Sequence, residues 1–172
     1  NIADEFLAEK KLIVYTEGAH VEKRSYYATK KGGFEKGKLV ILVNSGTASA
    51  SEIVSGAIQD HKRGIIIGRR TFGKGLVQQP VLLPDSSELR ITTSRYFTPS
   101  GKCIQKPYGD TIDYENDIFE RLESGELTLK DSINDEIKNK GGIWPDIFSP
   151  IDTLNFNEIV STITFSKQWR NF

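Results

Sequence analysis

Four hydroxyl side chains crowd one short stretch of this chain: Ser45, Thr47, Ser49 and Ser51. They lie between an apolar run, KLVILVN (38–44), and an amphipathic stretch, ASASEIVSGAIQDHK (48–62). A serine at a strand-to-helix turn projects from a sharp bend, next to the free N–H groups of the first helical turn. Those groups and the helix dipole favour negative charge, and the tetrahedral oxyanion of acyl transfer is such a charge. A plainer role competes. Thr47, Ser49 or Ser51 can simply cap the helix, with Glu52 completing a capping box.

A nucleophilic serine needs a base. The chain has two histidines. His61 sits beside Asp60, but twelve residues of helix place it about 18 Å from Ser49. His20 lies in a polar loop. Both read as solvated or helix-terminal. The other candidate is Lys74, between Gly73 and Gly75 in TFGKGLVQQ (71–79). Glycines let the backbone pass close to a neighbour. A lysine that works as a base near neutrality must be buried, because its pKa has to fall from about 10.4 to about 7–8. The same lysine has a rival reading, since Gly68 to Lys74 fits the G-x-x-x-x-G-K part of a phosphate-binding loop. That reading fails at Gly75, where Ser or Thr should bind magnesium. It also fails in LVQQPVLLP, which does not start a helix.

The elements that must position these groups alternate in type. Ile2–Lys11 has helical spacing. LIVYT (12–16) and RSYYAT (24–29) read as strands, and KLVILVN as a strand buried on both faces. The helix over 48–62 carries Ile53, Val54, Ala57 and Ile58 on one face, and GIIIG (64–68) is a further buried strand. Strand, helix and strand within about 30 residues predict a βαβ crossover and a parallel pair. LVQQPVLLP (76–84) and ELRITTSRYFT (88–98) read as strands joined by the polar turn DSS. Residues 108–140 are acidic with few apolar anchors and read as a peripheral insertion. Residues 141–150 read as a loop or edge segment and 151–172 as a terminal helix. Asp60 and Arg63 are expected to form an ion pair at the helix-to-strand corner.

Composition narrows the class. The 172 residues suit one domain or part of one. The 23 basic and 23 acidic residues leave no net charge and no nucleic-acid footprint. The single cysteine, Cys103, excludes an internal disulfide and a multi-thiolate metal site. No cofactor is called for. The chain starts at Asn1 and holds no methionine, so it reads as a piece of a longer protein.

The stretch NSGTASASEIVSGAIQDHKRGIIIGRRTFGKGLVQQP (44–80) resembles the core signature of the carboxyl-terminal processing, or tail-specific, proteases. RYFTPSGKCIQ (95–105) and GIWPD (142–146) resemble later family segments, so the likeness covers most of 38–105 and returns at 141–147. In that family the nucleophile lies 25 residues before the base lysine and an orienting glutamine lies four after it. The resemblance therefore implies Ser49 as nucleophile, Lys74 as base, Gln78 as the residue that orients it, and the Ala50 N–H as an oxyanion donor. It implies an α/β fold, a mixed sheet with flanking helices, whose βαβ crossover carries the nucleophile in a ClpP/crotonase-like protease core. It further implies protein or peptide substrates with flexible C-termini, no nucleic acid, a bacterial cell envelope or periplasm, and an allowance for homo-oligomers. Thr47 departs from a serine common in the family's run. The family's PDZ domain and its glycine-rich oxyanion strand have no counterpart here, so this stretch is compatible with an inactive piece. A non-catalytic ligand-binding relative is the alternative.

Overall fold

A computed structural model describes residues 2–107, 116–128 and 140–151. The expected strands form with small shifts of boundary: β1 (Leu12–Gly18), β2 (Val21–Tyr27), β3 (Val40–Val43), β4 (Ile65–Gly68), β5 (Leu76–Leu82) and β6 (Glu88–Phe97). The helix that follows Ser49 is α1 (Ala50–Asp60), a second helix is α2 (Asp117–Glu123), and a short strand β7 (Ile147–Phe148) emerges from the GIWPD segment. The α/β class is as expected. The two strand senses are divided between two sheets. One is antiparallel with order β2-β1-β6-β5, and the other is parallel with order β3-β4-β7. The β3-α1-β4 unit is the predicted crossover, with Val40 to Val43 in register with Ile65 to Gly68.

The core lies where α1 meets β1, the N-terminal turn and the inner face of β3 and β4. Ala57 and Ile58 of α1 pack there with Leu7, Ile13, Val14, Val43 and Ile66. The apolar spacing of α1 is what turns one stripe of the helix inward. Three expectations are corrected. The N-terminal stretch forms a single 3₁₀ turn at Ile2–Glu5 in place of a helix to Lys11. Lys10 then reverses the chain into β1 with φ 65°. β3 is buried on one face only. Val43 is buried, but Val40 is 52% and Leu42 77% exposed, because among the described residues α1 covers just one side of this sheet and β3 is its edge. Finally, Asp60 and Arg63 do not pair. Asp60 accepts the Ser100 N–H at 2.8 Å, and Arg63 donates to the carbonyls of Phe6, Phe34 and Gly37 at 2.7–2.9 Å. Three carbonyls match the fork of a guanidinium better than one carboxylate three positions back along the chain.

His61 ends α1, its Nε2 lying 2.7 Å from the Leu12 carbonyl, which is the helix-terminal role expected. The terminal helix expected over 151–172 lies outside the described residues apart from Ile151. The stretch 108–140 is described in part, and that part is built into the protein: Arg121, Glu126 and Leu127 are buried at 2–3% exposure.

Candidate active site

Ser49 is the N-cap of α1, exposed at the end of the turn that follows β3. Its backbone sits at φ 59°, ψ −121°. A residue other than glycine held at this φ costs on the order of 1–3 kcal/mol and persists only where its surroundings over-determine it. The Ser49 residue is exposed at this turn, as an attacking hydroxyl must be. Ala50 is the first residue of α1. Its N–H has no acceptor among the described residues and points from a helix start.

What over-determines Ser49 is Glu52. Its side chain is fully buried, at 0% exposure. The Oε2 atom accepts the N–H of Ser49 at 2.9 Å and that of Lys74 at 2.8 Å. The Oε1 atom accepts the N–H of Gly73 at 2.7 Å and the Thr71 hydroxyl. One carboxylate therefore ties the turn of Ser49 to the turn of Lys74. A buried carboxylate is tolerable only when its lone pairs are met, and four donors meet them here. The capping-box spacing marks Glu52 in the sequence, and its carboxylate does accept the N-cap N–H. That local signal gives no hint that the carboxylate also reaches residues 19 to 22 positions away.

Thr71 carries the connection further. It is buried, its N–H donates to the Ile143 carbonyl at 3.1 Å, and its hydroxyl accepts the Ile143 N–H at 2.7 Å. The GIWPD segment is thus latched to the site. It is latched to α1 as well, where Gln59 donates to the Trp144 carbonyl and to Asp146 at 2.7 and 2.8 Å. The Phe72 N–H donates to the Thr47 carbonyl at 2.8 Å, a second bridge between the two turns.

The glycines flanking Lys74 are there for close approach. Gly73 has φ +86°, and a Cβ on it would stand 2.9 Å from the Lys106 Cβ. A Cβ on Gly75 would stand 2.5 Å from the Gln105 nitrogen and 2.9 Å from the Ile104 Cβ. Gly75 also donates to Gln105 Oε1 at 2.8 Å. Gly75→Ala should therefore destabilise the fold by about 1–3 kcal/mol through overpacking. Equilibrium denaturation is the measurement, and an unchanged midpoint would show that residues 104–105 give way freely.

Lys74 and Gln78 are both exposed, Gln78 lying at an irregularity in β5 opposite Thr92. Among the described residues no hydrogen bond joins the side chains of Ser49, Lys74 and Gln78. The burial that a lysine base requires is not met in this arrangement. The phosphate-loop alternative loses its ground, because the amides of Gly73 and Lys74 are occupied by a carboxylate and the next element is β5 in place of a helix. An apolar groove of ≈ 620 Å³ opens beside the start of α1, lined by Ile41, Val43, Thr47, Ala50, Ile53 and Val54 among others.

A family model described as peptidase family S41 matches residues 1–116 of this chain. The chain belongs to peptidase family S41. The S41 chain is 41% identical over 144 residues to a carboxy-terminal-processing protease of Bartonella bacilliformis, covering 81% of this chain and 33% of that protein. It is 59% identical over 68 residues to the chloroplastic C-terminal processing peptidase of Tetradesmus obliquus, covering 40% and 15%. The fold is similar to that of a photosystem II D1 C-terminal processing protease, with TM-score 0.61 and 33% identity over 87% of this chain and 30% of the other. The S41 chain spans at most about a third of the length of these relatives.

Proposed function

We propose that Ser49 and Lys74 form the nucleophile and base of a serine endopeptidase that cleaves unstructured C-terminal segments of proteins. The observation that carries this reading is the strained Ser49 backbone at the start of α1, joined through Glu52 to the backbone of Lys74. Nothing in the packing of a plain capping serine calls for a positive φ.

In this mechanism Ser49 Oγ attacks the scissile carbonyl carbon and its proton passes to neutral Lys74 Nζ. The carbonyl oxygen becomes an oxyanion against the Ala50 N–H, a donor of the kind whose removal costs about 10²–10³ in rate. Collapse breaks the C–N bond, and Lys74 returns its proton to the leaving amine. Water, deprotonated by the same lysine, then releases the acyl group from Ser49. Gln78 orients the lysine, and an apolar side chain of the substrate occupies the groove beside Ala50. Lys74 is exposed in the resting arrangement, and catalytic contacts of this kind tighten in the substrate complex. Bound substrate covering the lysine would supply the desolvation it needs. The cell envelope is the compartment that this reading assigns. Among the described residues no helix is long and apolar enough to cross a membrane.

The test is covalent. The full-length protein treated with an organophosphorus fluoridate should gain one adduct, located by peptide mass spectrometry on Ser49. A protein that cleaves flexible-tailed substrates but carries the adduct on Ser45 or Ser51 would overturn the choice of nucleophile.

A further inference from the structure

Resting on that reading, we propose that Arg121 is a positioning residue for the catalytic lysine, and that α2 is a prop for the lysine's turn. The matched family segment ends at residue 116, so α2 lies outside it. Arg121 is 2% exposed, and the two terminal nitrogens of its guanidinium reach off its own helix. Nη1 donates to the carbonyls of Arg70 and Thr71 at 3.2 and 3.1 Å, and Nη2 to that of Phe72 at 3.2 Å. These are the three residues that lead into Gly73 and Lys74.

The turn is consequently held from two sides by opposite charges. Arg121 takes the carbonyls of 70–72, while Glu52 takes the N–H groups of 73 and 74. The direction of the Lys74 side chain depends on the orientation of these peptide units. A planar cation on their oxygens and a carboxylate on their nitrogens leave little freedom to rotate. A lysine could not do the same, because a single ammonium lacks the guanidinium's fixed fork.

Arg121 is itself fixed. Its Nε lies 2.9 Å from Asp117 Oδ2, one helical turn earlier. Lys106 Nζ lies 3.2 Å from the same oxygen, and the Lys106 N–H donates to the Gly73 carbonyl at 3.0 Å. Arg70 is stapled to Glu126 by two bonds of 2.8 and 2.9 Å, both side chains buried. Burial pulls the Arg121 pKa down, with Arg70 adding to the effect and Asp117 and Glu126 opposing it. A guanidinium stays charged all the same.

The experiment compares full-length Arg121→Met and Arg121→Lys with the parent. Cleavage is measured as kcat and KM separately, and hydrogen exchange is followed in the peptide spanning 70–76. In both variants kcat should fall about 10- to 100-fold, as for a misplaced catalytic group, with KM within about twofold. Exchange should quicken in 70–76 and stay unchanged in β1 and β6. Folded variants with unchanged kcat and unchanged exchange overturn the proposal, and so does a rise in exchange spread evenly over the whole chain. If Arg121→Met does not fold, Asp117→Asn, which loosens the anchor and keeps the guanidinium, decides by the same readings. The exchange arm needs no activity. Should Lys74 prove not to be the base, that failure shows in Lys74→Ala and leaves the hold on the turn separately decided.

Discussion

Lys74→Arg in the full-length protein is expected to abolish cleavage, and Ser49→Ala to do the same. The two losses should be alike, on the order of 10⁴–10⁶ in kcat, because members of one catalytic unit fail together. The arginine variant is the sharper of the two. It keeps the positive charge, nearly the length and the backbone held by Glu52, so a lysine serving only as a surface cation would tolerate it. A base must give up its proton, and a guanidinium does not do so in a protein. Steady-state cleavage of an unstructured peptide, with circular dichroism to confirm the fold, is the measurement. Retention of more than about a tenth of the activity would exclude general-base catalysis by Lys74, since a positioned base typically contributes 10²–10⁴. Ser49→Ala with full activity would remove the nucleophile assignment however the lysine behaves.

Glu52→Gln should hurt both stability and turnover, although it changes one atom. The two carboxylate oxygens accept from four donors, all of them on the turns that carry Ser49 and Lys74. An amide replaces one oxygen by an NH₂ group, which faces two donors with a third. Hydrogen bonds to a charged group contribute about 1.5–3 kcal/mol each, and a buried donor left unmet costs about 1–3 kcal/mol more. A loss of about 3–5 kcal/mol is expected, at the diagnostic end of single substitutions. With the strained Ser49 backbone no longer over-determined, kcat should also fall by about 10² or more, as when a catalytic group moves by an ångström. Denaturant unfolding and kcat on the same preparation check this. A variant as stable and as active as the parent would mean that the capping box alone governs residue 52.

The roles proposed for Ser49, Lys74, Gln78 and Ala50 come from the resemblance of the 44–80 stretch to a family. Taken singly, a serine before a helix reads as a cap and a lysine between glycines as a surface turn. The β3-α1-β4 unit was legible without help, since the periods of α1 and the apolar runs around it are local properties of the chain. Local reasoning also placed β5 and β6 on either side of the DSS turn. It misjudged the outer face of β3, where Leu42 is exposed, because an apolar run reports the capacity to be covered and not what covers it.

The sequence by itself therefore settled which residue types stand in which order: a hydroxyl at a helix start, a lysine between glycines, and a crossover that carries the first. Only the tertiary structure decided what holds them. Glu52 reaches Thr71, Gly73 and Lys74 across 19 to 22 residues, and Arg121 reaches Arg70, Thr71 and Phe72 across about 50. The physical reason is that periodicity records which side of its own element a residue faces. A buried charge is satisfied by whatever backbone the fold brings within hydrogen-bond reach, and those partners leave no trace in local spacing. An acidic residue in a helix start and an arginine in an acidic stretch look like solvated charges until folding closes the chain around them.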